Sequence, residues 1–271
     1  MDNRAIGFFD SGLGGLTNIP PLFKALPQER VIYFGDTART PYGSKAVSTI
    51  RQYACQIADF LVSKDVKMLV IACNTISTTC LEELKARFPA LPIVGIVSPA
   101  AERVAASCDE TNRIGVIGTK VTISSGAYRD MIRTLAPELT VFDRATPAFV
   151  PLIEEGIIEN EIMDLTIHYY MDDFMASNRL DTLVLGCTHY PLIRKNIERL
   201  YPGLEIIDPS QEIIGRIRLT LRERDLLADE SQEGENVFYA SDLSENFTRM
   251  IQRILETERA DLILKFKNLD L

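Results

Sequence analysis

Short apolar runs alternate with longer stretches of helical periodicity along most of the chain, and this alternation most restricts the folds open to it. The candidate buried strands are Ile6–Phe9, Val31–Phe34, Met68–Ala72, Ile93–Val97, Ile114–Ile117, Leu183–Leu185 and Glu205–Ile207, with Val237–Ala240 as one further strand. Helical patterns cover residues 15–24, 44–64, 77–87, 99–107, 124–135, 149–155, 160–176, 191–199, 210–224 and 243–257. Such alternation is typical of an α/β protein with mostly parallel sheets.

Two pairs of segments indicate an internal duplication. Residues 67–75 (KMLVIACNT) and 181–189 (DTLVLGCTH) each contain an apolar run, a small residue, a cysteine and two polar residues. Residues 6–11 and 114–119 form a second pair, in which a strand runs into a small or polar turn. The duplication predicts two pseudo-symmetric α/β domains, with an active site in the cleft where the carboxyl ends of their strands meet.

Composition and charge exclude several classes of protein. The chain has 46% hydrophobic and 25% charged residues, as in ordinary globular proteins, and its net charge is −9. A surface of that sign repels phosphate backbones, so we expect no direct nucleic-acid partner. The longest apolar run, Met68 to Cys73, is far too short to cross a membrane, and residues 1–15 lack a basic-then-apolar leader. We therefore expect no membrane association and a cytoplasmic location.

The five cysteines do not form a recognisable metal or disulfide pattern. No CxxC pair occurs and there are only two histidines, so we expect neither a metal site nor a disulfide framework. Cys55 and Cys80 lie in helical patterns and are interpreted as packing residues, and Cys108 as a surface thiol. Cys73 and Cys187 differ because each ends a strand and precedes a helix, where a helix N-terminus stabilises a thiolate.

Two equivalent thiols, one from each half, restrict the chemistry. A disulfide couple needs adjacent cysteines, and a cysteine hydrolase needs one nucleophile and one base. Inversion of a stereocentre needs a proton-transfer group on each face, one to remove the Cα proton and one to deliver a proton from behind. Cys73 and Cys187 therefore favour a racemase or epimerase that uses no cofactor.

Other polar residues follow the same strands. Asp10 and His189 are candidate assistants of the two cysteines, and Glu154 is a weaker catalytic candidate, although each of the three is also an ordinary capping or surface residue type. Hydroxyl, amide and backbone donors suited to a carboxylate occur at Ser11, Tyr42, Gly43, Asn74, Thr75, Thr119, Thr122 and Thr188. The glycine-rich turn at 12–15 lacks GxGxxG spacing, so a nucleotide site is weakly supported.

Six motifs in order carry a resemblance to a known family. They are residues 10–17 (DSGLGGLT), 33–39 (YFGDTAR), 41–43 (PYG), 72–75 (ACNT), 149–152 (FVPL) and 186–192 (GCTHYPL). With these motifs, residues 5–257 resemble the bacterial glutamate racemases of the aspartate/glutamate racemase superfamily.

The resemblance implies interconversion of L- and D-glutamate without a cofactor, supplying D-glutamate for peptidoglycan. It implies proton exchange by Cys73 on the D-glutamate side and by Cys187 on the other, with Asp10 near Cys73 and His189 near Cys187. It also implies substrate contacts by Asp10, Ser11, Tyr42, Gly43, Asn74, Thr75, Thr188 and His189, with Thr119 and Thr122 matching less closely.

The same resemblance implies the domain boundaries and the assembly. Residues 1–96 with 208–271 are expected to form the first domain, completed by the C-terminal segment, and residues 97–207 the second. A homodimer is expected. Two other functions stay open: a sister racemase acting on aspartate, and an amino-acid-binding protein that has lost catalysis.

Overall fold

The strands and helices were located in a computed structural model that describes residues 1–231, 234–243, 245–255 and 262–269. The strands, numbered β1 to β10 in chain order, are Ile6–Asp10, Val31–Gly35, Met68–Ile71, Ile93–Gly95, Arg113–Gly118, Thr140–Ala145, Thr182–Gly186, Glu205–Ile207, Asn236–Ala240 and Leu262–Phe266. The α-helices, α1 to α11, are Ile19–Ala25, Val47–Val62, Asn74–Arg87, Val97–Ser107, Lys120–Ser124, Ala127–Leu135, Phe149–Glu154, Glu161–Asn178, Arg194–Leu200, Pro209–Glu223 and Glu245–Leu255. Short 3₁₀ turns cover Gly14–Asn18, Tyr42–Ser44 and Tyr190–Ile193.

The strands build two separate sheets, and every strand pair in both is parallel. The first sheet has the order β10-β9-β2-β1-β3-β4, and the second has the order β6-β5-β7-β8. The order β2-β1-β3-β4 in the first sheet is repeated as β6-β5-β7-β8 in the second. This repetition confirms the expected α/β fold with two similar, parallel units.

The first sheet contains strands from both ends of the chain. Strands β9 and β10 extend it on the side of β2, and β9 pairs with β2 over Ile32 to Gly35. The segment between β8 and β9 is mostly helix α10, which packs on α1, β4 and the turn Gly14–Asn18 of the first unit and also on α4 at the start of the second. On this basis we propose the domain division at 1–96 with 208–271, and 97–207.

Both strands absent from the sequence prediction lie at sheet edges. Strand β6 ends the second sheet, and most of its side chains are partly exposed. Strand β10 ends the first sheet, and Phe266 on it is 58% exposed. Strand β6 (TVFDRA) buries few side chains and lacks the apolar run by which the central strands were recognised, whereas β10 (LILKF) carries a short apolar run that was not predicted as a strand.

Two predicted boundaries were wrong for identifiable reasons. The run Ile93–Val97 was predicted as one strand, but β4 ends at Gly95 and Val97 begins helix α4. A short apolar run has no period that separates a buried strand from a buried helix start. The helix predicted over 124–135 is divided between α5 and α6 by Gly126, whose φ is +67°.

The predicted strand Val237–Ala240, observed as β9, and the predicted helix over 243–257 agree with the structure where they can be compared. Helix α11 covers Glu245–Leu255, while residues 244, 256 and 257 lie outside the described part of the chain. No helix within the described ranges has the length and apolar character needed to cross a bilayer.

Candidate active site

The central strands of both sheets end at one cavity of about 160 Å³. In a parallel sheet of this order, a ligand binds outside the carboxyl ends of the strands where the order reverses, here between β1 and β3. The duplicated unit places the ends of β5 and β7 at the same cavity. The predicted site residues that line it are Ser11, Tyr42, Gly43, Cys73, Asn74, Thr75, Thr119, Cys187, Thr188 and His189.

Cys73 lies between strand β3 and helix α3, at the N-cap position of the helix. Its side chain is buried, and its Sγ donates to the Ser11 hydroxyl at 3.4 Å. Burial, and then the nearby carboxylate of Asp10, raise the pKa of the Cys73 thiol well above its usual range. The Cys73 side chain is therefore a neutral thiol, able to deliver a proton.

Asp10 lies behind the cavity wall and does not line it. The end of β1 holds it fully buried, where Oδ1 accepts from the Gly12 N–H at 2.9 Å and Oδ2 accepts from the Thr188 hydroxyl at 3.3 Å. Burial raises the pKa of Asp10, and the charge of His189 and these hydrogen bonds oppose the rise. Asp10 thus connects the turn after β1 to the motif after β7.

Cys187 follows strand β7 and has a different neighbour. Its Sγ lies 3.8 Å from Nδ1 of His189, and Nε2 of the same ring lies 3.2 Å from Oε1 of Glu154. Burial by itself lowers the pKa of His189, but the hydrogen bonds to Cys187 and Glu154 outweigh it and raise that pKa to about 10. At neutral pH the ring is protonated, so one nitrogen donates to sulfur and the other to the carboxylate.

Glu154 is placed by the last turn of helix α7 and stands behind His189 rather than in the cavity wall. Its side chain is 20% exposed, so it is neither a free surface carboxylate nor a fully buried one. Glu154, the weakest catalytic candidate in the sequence, therefore contacts His189, a stronger one. This contact supports an orienting role for Glu154.

The threonines form a contact between the two halves. The Thr75 hydroxyl, on α3, lies 3.0 Å from the Thr119 hydroxyl and 3.3 Å from the Thr122 hydroxyl, both near the start of α5. Thr119 and Thr75 line the cavity, whereas Thr122 lies behind them and is 2% exposed. In this arrangement Thr122 supports two lining residues rather than facing a ligand.

Tyr42 lines the cavity without offering a free hydroxyl. Its hydroxyl donates to the buried carboxylate of Asp36, which also accepts from Arg39 Nε at 2.7 Å and from the Ser241 hydroxyl at 2.7 Å. Burial, and then the charge of Asp36, raise the pKa of Tyr42 far above its usual value. Ring and backbone atoms are what Tyr42 presents to the cavity.

Several lining residues were not singled out in the sequence. They are Thr40, Ser44, Lys120, Thr146 and Pro147, whereas Pro41, Val150 and Pro151 belong to motifs that carried the family resemblance. Ser44 and Lys120 directly follow the predicted residues Gly43 and Thr119, and Thr40 directly precedes the motif at 41–43, so their place in the chain was the signal that could have found them. Thr146 and Pro147 come from the segment between β6 and α7, whose route over the cavity depends on the unrecognised strand β6.

The fold and the site define the class of protein: an α/β enzyme that presents two thiols from duplicated units to one cavity. The model of the Asp/Glu/Hydantoin racemase family matches residues 18–216, and the chain belongs to this family.

The similarity to known members of this class covers nearly their whole length. The glutamate racemase of Geobacter metallireducens is 44% identical over 263 residues, 97% of this chain and 96% of the relative. A crystal structure of glutamate racemase from Francisella tularensis in complex with D-glutamate has a TM-score of 0.91 and 37% identity, covering 100% of this chain and 99% of that one. The glutamate racemase RacE1 of Bacillus anthracis has a TM-score of 0.92 and 28% identity, with 100% of both chains covered.

Proposed function

We propose that this chain is a glutamate racemase, which interconverts L- and D-glutamate by a two-base mechanism that uses Cys73, Cys187 and no cofactor. One observation carries the proposal: two cysteines, each at the carboxyl end of a central strand in a different sheet, line the same cavity. The glutamate racemases among the relatives, one of them solved with D-glutamate, support glutamate as the substrate.

The reaction removes the proton from one face of Cα and adds a proton to the opposite face. In one direction a thiolate removes the Cα proton to give a planar carbanion, and the thiol on the opposite face donates its proton to the same carbon, becoming the thiolate. We assign Cys73 to the D-glutamate face and Cys187 to the other. The neutral thiol form of Cys73 is the form that donates, which favours Cys187 as the first base with L-glutamate.

The neighbours of the two thiols differ in a way that suits these roles. Asp10 raises the pKa of the Cys73 thiol, whereas His189 carries a positive charge beside Cys187. A positive charge next to sulfur favours the thiolate in general. We propose that Asp10 and His189 assist proton transfer and that Glu154 orients His189.

The substrate carboxylates are proposed to be held by uncharged donors. The candidates on the cavity wall are the side chains and backbone N–H groups of Ser11, Asn74, Thr75, Thr119 and Thr188, with backbone groups of Tyr42 and Gly43. Oriented N–H and hydroxyl groups stabilise a carboxylate without a basic residue. Asp10, His189 and Thr122 complete the proposed set, from behind or at the edge of this wall.

We propose a cellular setting and an assembly for the enzyme. D-Glutamate made by this enzyme would supply peptidoglycan synthesis in the cytoplasm, and the active form would be a homodimer. Light scattering of the purified protein tests the homodimer directly.

Substitution of each cysteine tests the two-base mechanism. Because removal of a proton-transfer group costs about 10²–10⁴-fold in rate, Cys73→Ser and Cys187→Ser should each lose at least about a hundredfold in racemisation. The measurement is circular dichroism with L-glutamate, D-glutamate and L-aspartate assayed in parallel. Cys80→Ser is the matched control, since Cys80 is buried but lies outside the cavity.

Each alternative has its own outcome in these assays. Full racemisation by either active-site variant contradicts the two-base mechanism, and faster turnover of aspartate than of glutamate identifies the sister activity. If the wild type binds glutamate but incorporates no solvent deuterium at Cα, the protein is a binding protein rather than an enzyme.

A further inference from the structure

Tyr128, a residue with no role in the proposed chemistry, contacts both duplicated motifs. It lies on helix α6 of the second half, and its side chain is 2% exposed. Its hydroxyl donates to Oδ1 of Asn74, on α3 of the first half, at 2.5 Å. This hydrogen bond joins the two halves next to Cys73.

The ring of Tyr128 lies against the second motif. A Cβ atom placed on Gly186 would be 3.4 Å from Cε2 of the Tyr128 ring, so the ring packs directly over this glycine. Gly186 immediately precedes Cys187. One side chain thus spans the space between the segments that carry the two thiols.

The hydrogen-bonding needs of Tyr128 determine the orientation of the Asn74 amide. A buried tyrosine hydroxyl needs an acceptor for its proton, and burial raises the pKa of Tyr128 well above its usual range, so the proton stays. Within the described residues Oδ1 of Asn74 is that acceptor. If the amide were rotated by 180°, the hydroxyl would face an N–H₂ group and its proton would lack an acceptor.

With Oδ1 occupied, Nδ2 is the remaining polar group of Asn74. This atom is buried and has no hydrogen-bond partner among the described residues, while Asn74 itself lines the cavity and Tyr128 does not. A buried amide N–H₂ without an acceptor is costly, and a carboxylate in the cavity provides the missing acceptor.

We infer that Tyr128 is a positioning residue, which holds the Asn74 amide so that Nδ2, and not Oδ1, faces a carboxylate of the substrate. Without the Tyr128 hydroxyl, either orientation of the amide is allowed, and one of them turns a carbonyl oxygen toward the anionic substrate. The inference rests on the proposed function because it takes glutamate as the ligand.

Tyr128→Phe is the direct test, since phenylalanine keeps the ring against Gly186 and removes only the hydroxyl. We expect KM for both enantiomers, and the Kd for D-glutamate by calorimetry, to rise about tenfold, with kcat within about twofold of the wild type. Tyr201→Phe is the matched control, because it removes a hydroxyl that bonds to Asp172 outside the cavity, and it should leave all three constants unchanged.

A double-mutant cycle separates positioning from packing. Tyr128 acts through Asn74, so adding Tyr128→Phe to Asn74→Ala should raise KM by less than about twofold further. If the two substitutions raise KM independently, so that their fold-changes multiply, the inference is overturned. A fall in melting temperature of Tyr128→Phe with unchanged KM also overturns it, because the role is then structural only.

The two levels of the proposal fail in different ways. A wild type that racemises glutamate while Tyr128→Phe keeps its KM and Kd overturns the role of Tyr128 alone. A wild type that neither binds nor racemises glutamate overturns the proposed function and this inference together.

Discussion

At the scale of single residues, the two cysteines occupy equivalent positions, but the side chains beside them carry opposite charges. Cys73 has a buried carboxylate nearby, which raises the pKa of its thiol, whereas Cys187 has a protonated imidazole at 3.8 Å. The duplication therefore supplies two thiols at equivalent places, and their neighbours make the two thiols different. A reversible proton transfer needs this difference, since one group must begin as acid and the other as base.

Glu154 is expected to control the pH at which His189 loses its proton. The pKa of His189 is raised to about 10 partly by Glu154, so the ring is protonated below that pH and neutral above it. Glu154→Gln removes the carboxylate and should lower the pKa of His189. We therefore expect the alkaline limb of the kcat/KM profile to move to lower pH in this variant. Glu155→Gln, on the next residue, is the control, and identical alkaline limbs in all three proteins would contradict the role of Glu154.

At the scale of elements, the glycine-rich turn after β1 serves the contact between the halves. A Cβ on Gly14 would lie 2.3 Å from the Thr188 hydroxyl and 2.5 Å from Nδ1 of His189. A Cβ on Gly15 would lie 2.6 Å from Cβ of Asp10. A Cβ atom fits at neither glycine because these distances are too short. The backbone of the turn can therefore lie directly against the segment that follows Cys187.

Two glycine-to-alanine substitutions are expected to have opposite consequences. Gly14→Ala should push Thr188 and His189 away and reduce kcat/KM by about a hundredfold, the order of loss that a 1 Å misplacement causes. Gly215→Ala, in the middle of helix α10, meets nothing within 4 Å. It should leave kcat/KM unchanged and raise the free energy of unfolding by about 0.5–1 kcal/mol, because alanine favours a helix. Urea unfolding and the racemisation assay together measure both effects, and an active Gly14→Ala enzyme would show that the contact is not needed.

At the scale of the whole molecule, an anionic substrate has to approach a protein with a net charge of −9. Among the residues that the structure describes, Lys120 is the one lysine or arginine that lines the cavity. It also borders the adjoining groove, together with Gly43 and Ser44. Its side chain is exposed at the mouth of the site. Its position suits attraction of a carboxylate over a distance more than binding inside the cavity.

Lys120 is expected to contribute through a salt-dependent attraction. Lys120→Gln should lower kcat/KM about threefold to tenfold at low ionic strength, with kcat unchanged, and the difference should disappear near 0.5 M salt because the charge is then screened. Lys195→Gln removes the same charge away from the cavity and should have a smaller effect. Stopped-flow or steady-state assays across a salt series provide the measurement, and a loss independent of salt would indicate direct contact instead.

The fold class and the two thiols could be predicted from the sequence because their signals are local. Strand–helix alternation, a repeated strand–cysteine segment and a hydroxyl-rich turn are each visible within about ten residues. The carboxyl ends of parallel strands share one edge, so a local pattern at each strand end already predicted which residues meet. Cys73, Cys187, Thr75 and Thr119 were placed at one cavity by this reasoning alone.

The tertiary structure alone decided which residues stand behind that cavity. Glu154 reaches His189 from helix α7, Thr122 lies under Thr75, and Tyr128 joins Asn74 to the end of strand β7, just before Cys187. These contacts depend on how α3, α6 and α7 pack, and no periodicity records the distance between side chains far apart in the chain. The chemistry at the strand ends can be predicted from local sequence patterns, whereas the orientation and protonation of those groups depend on non-local packing, since burial and neighbouring charge exist only in the folded chain.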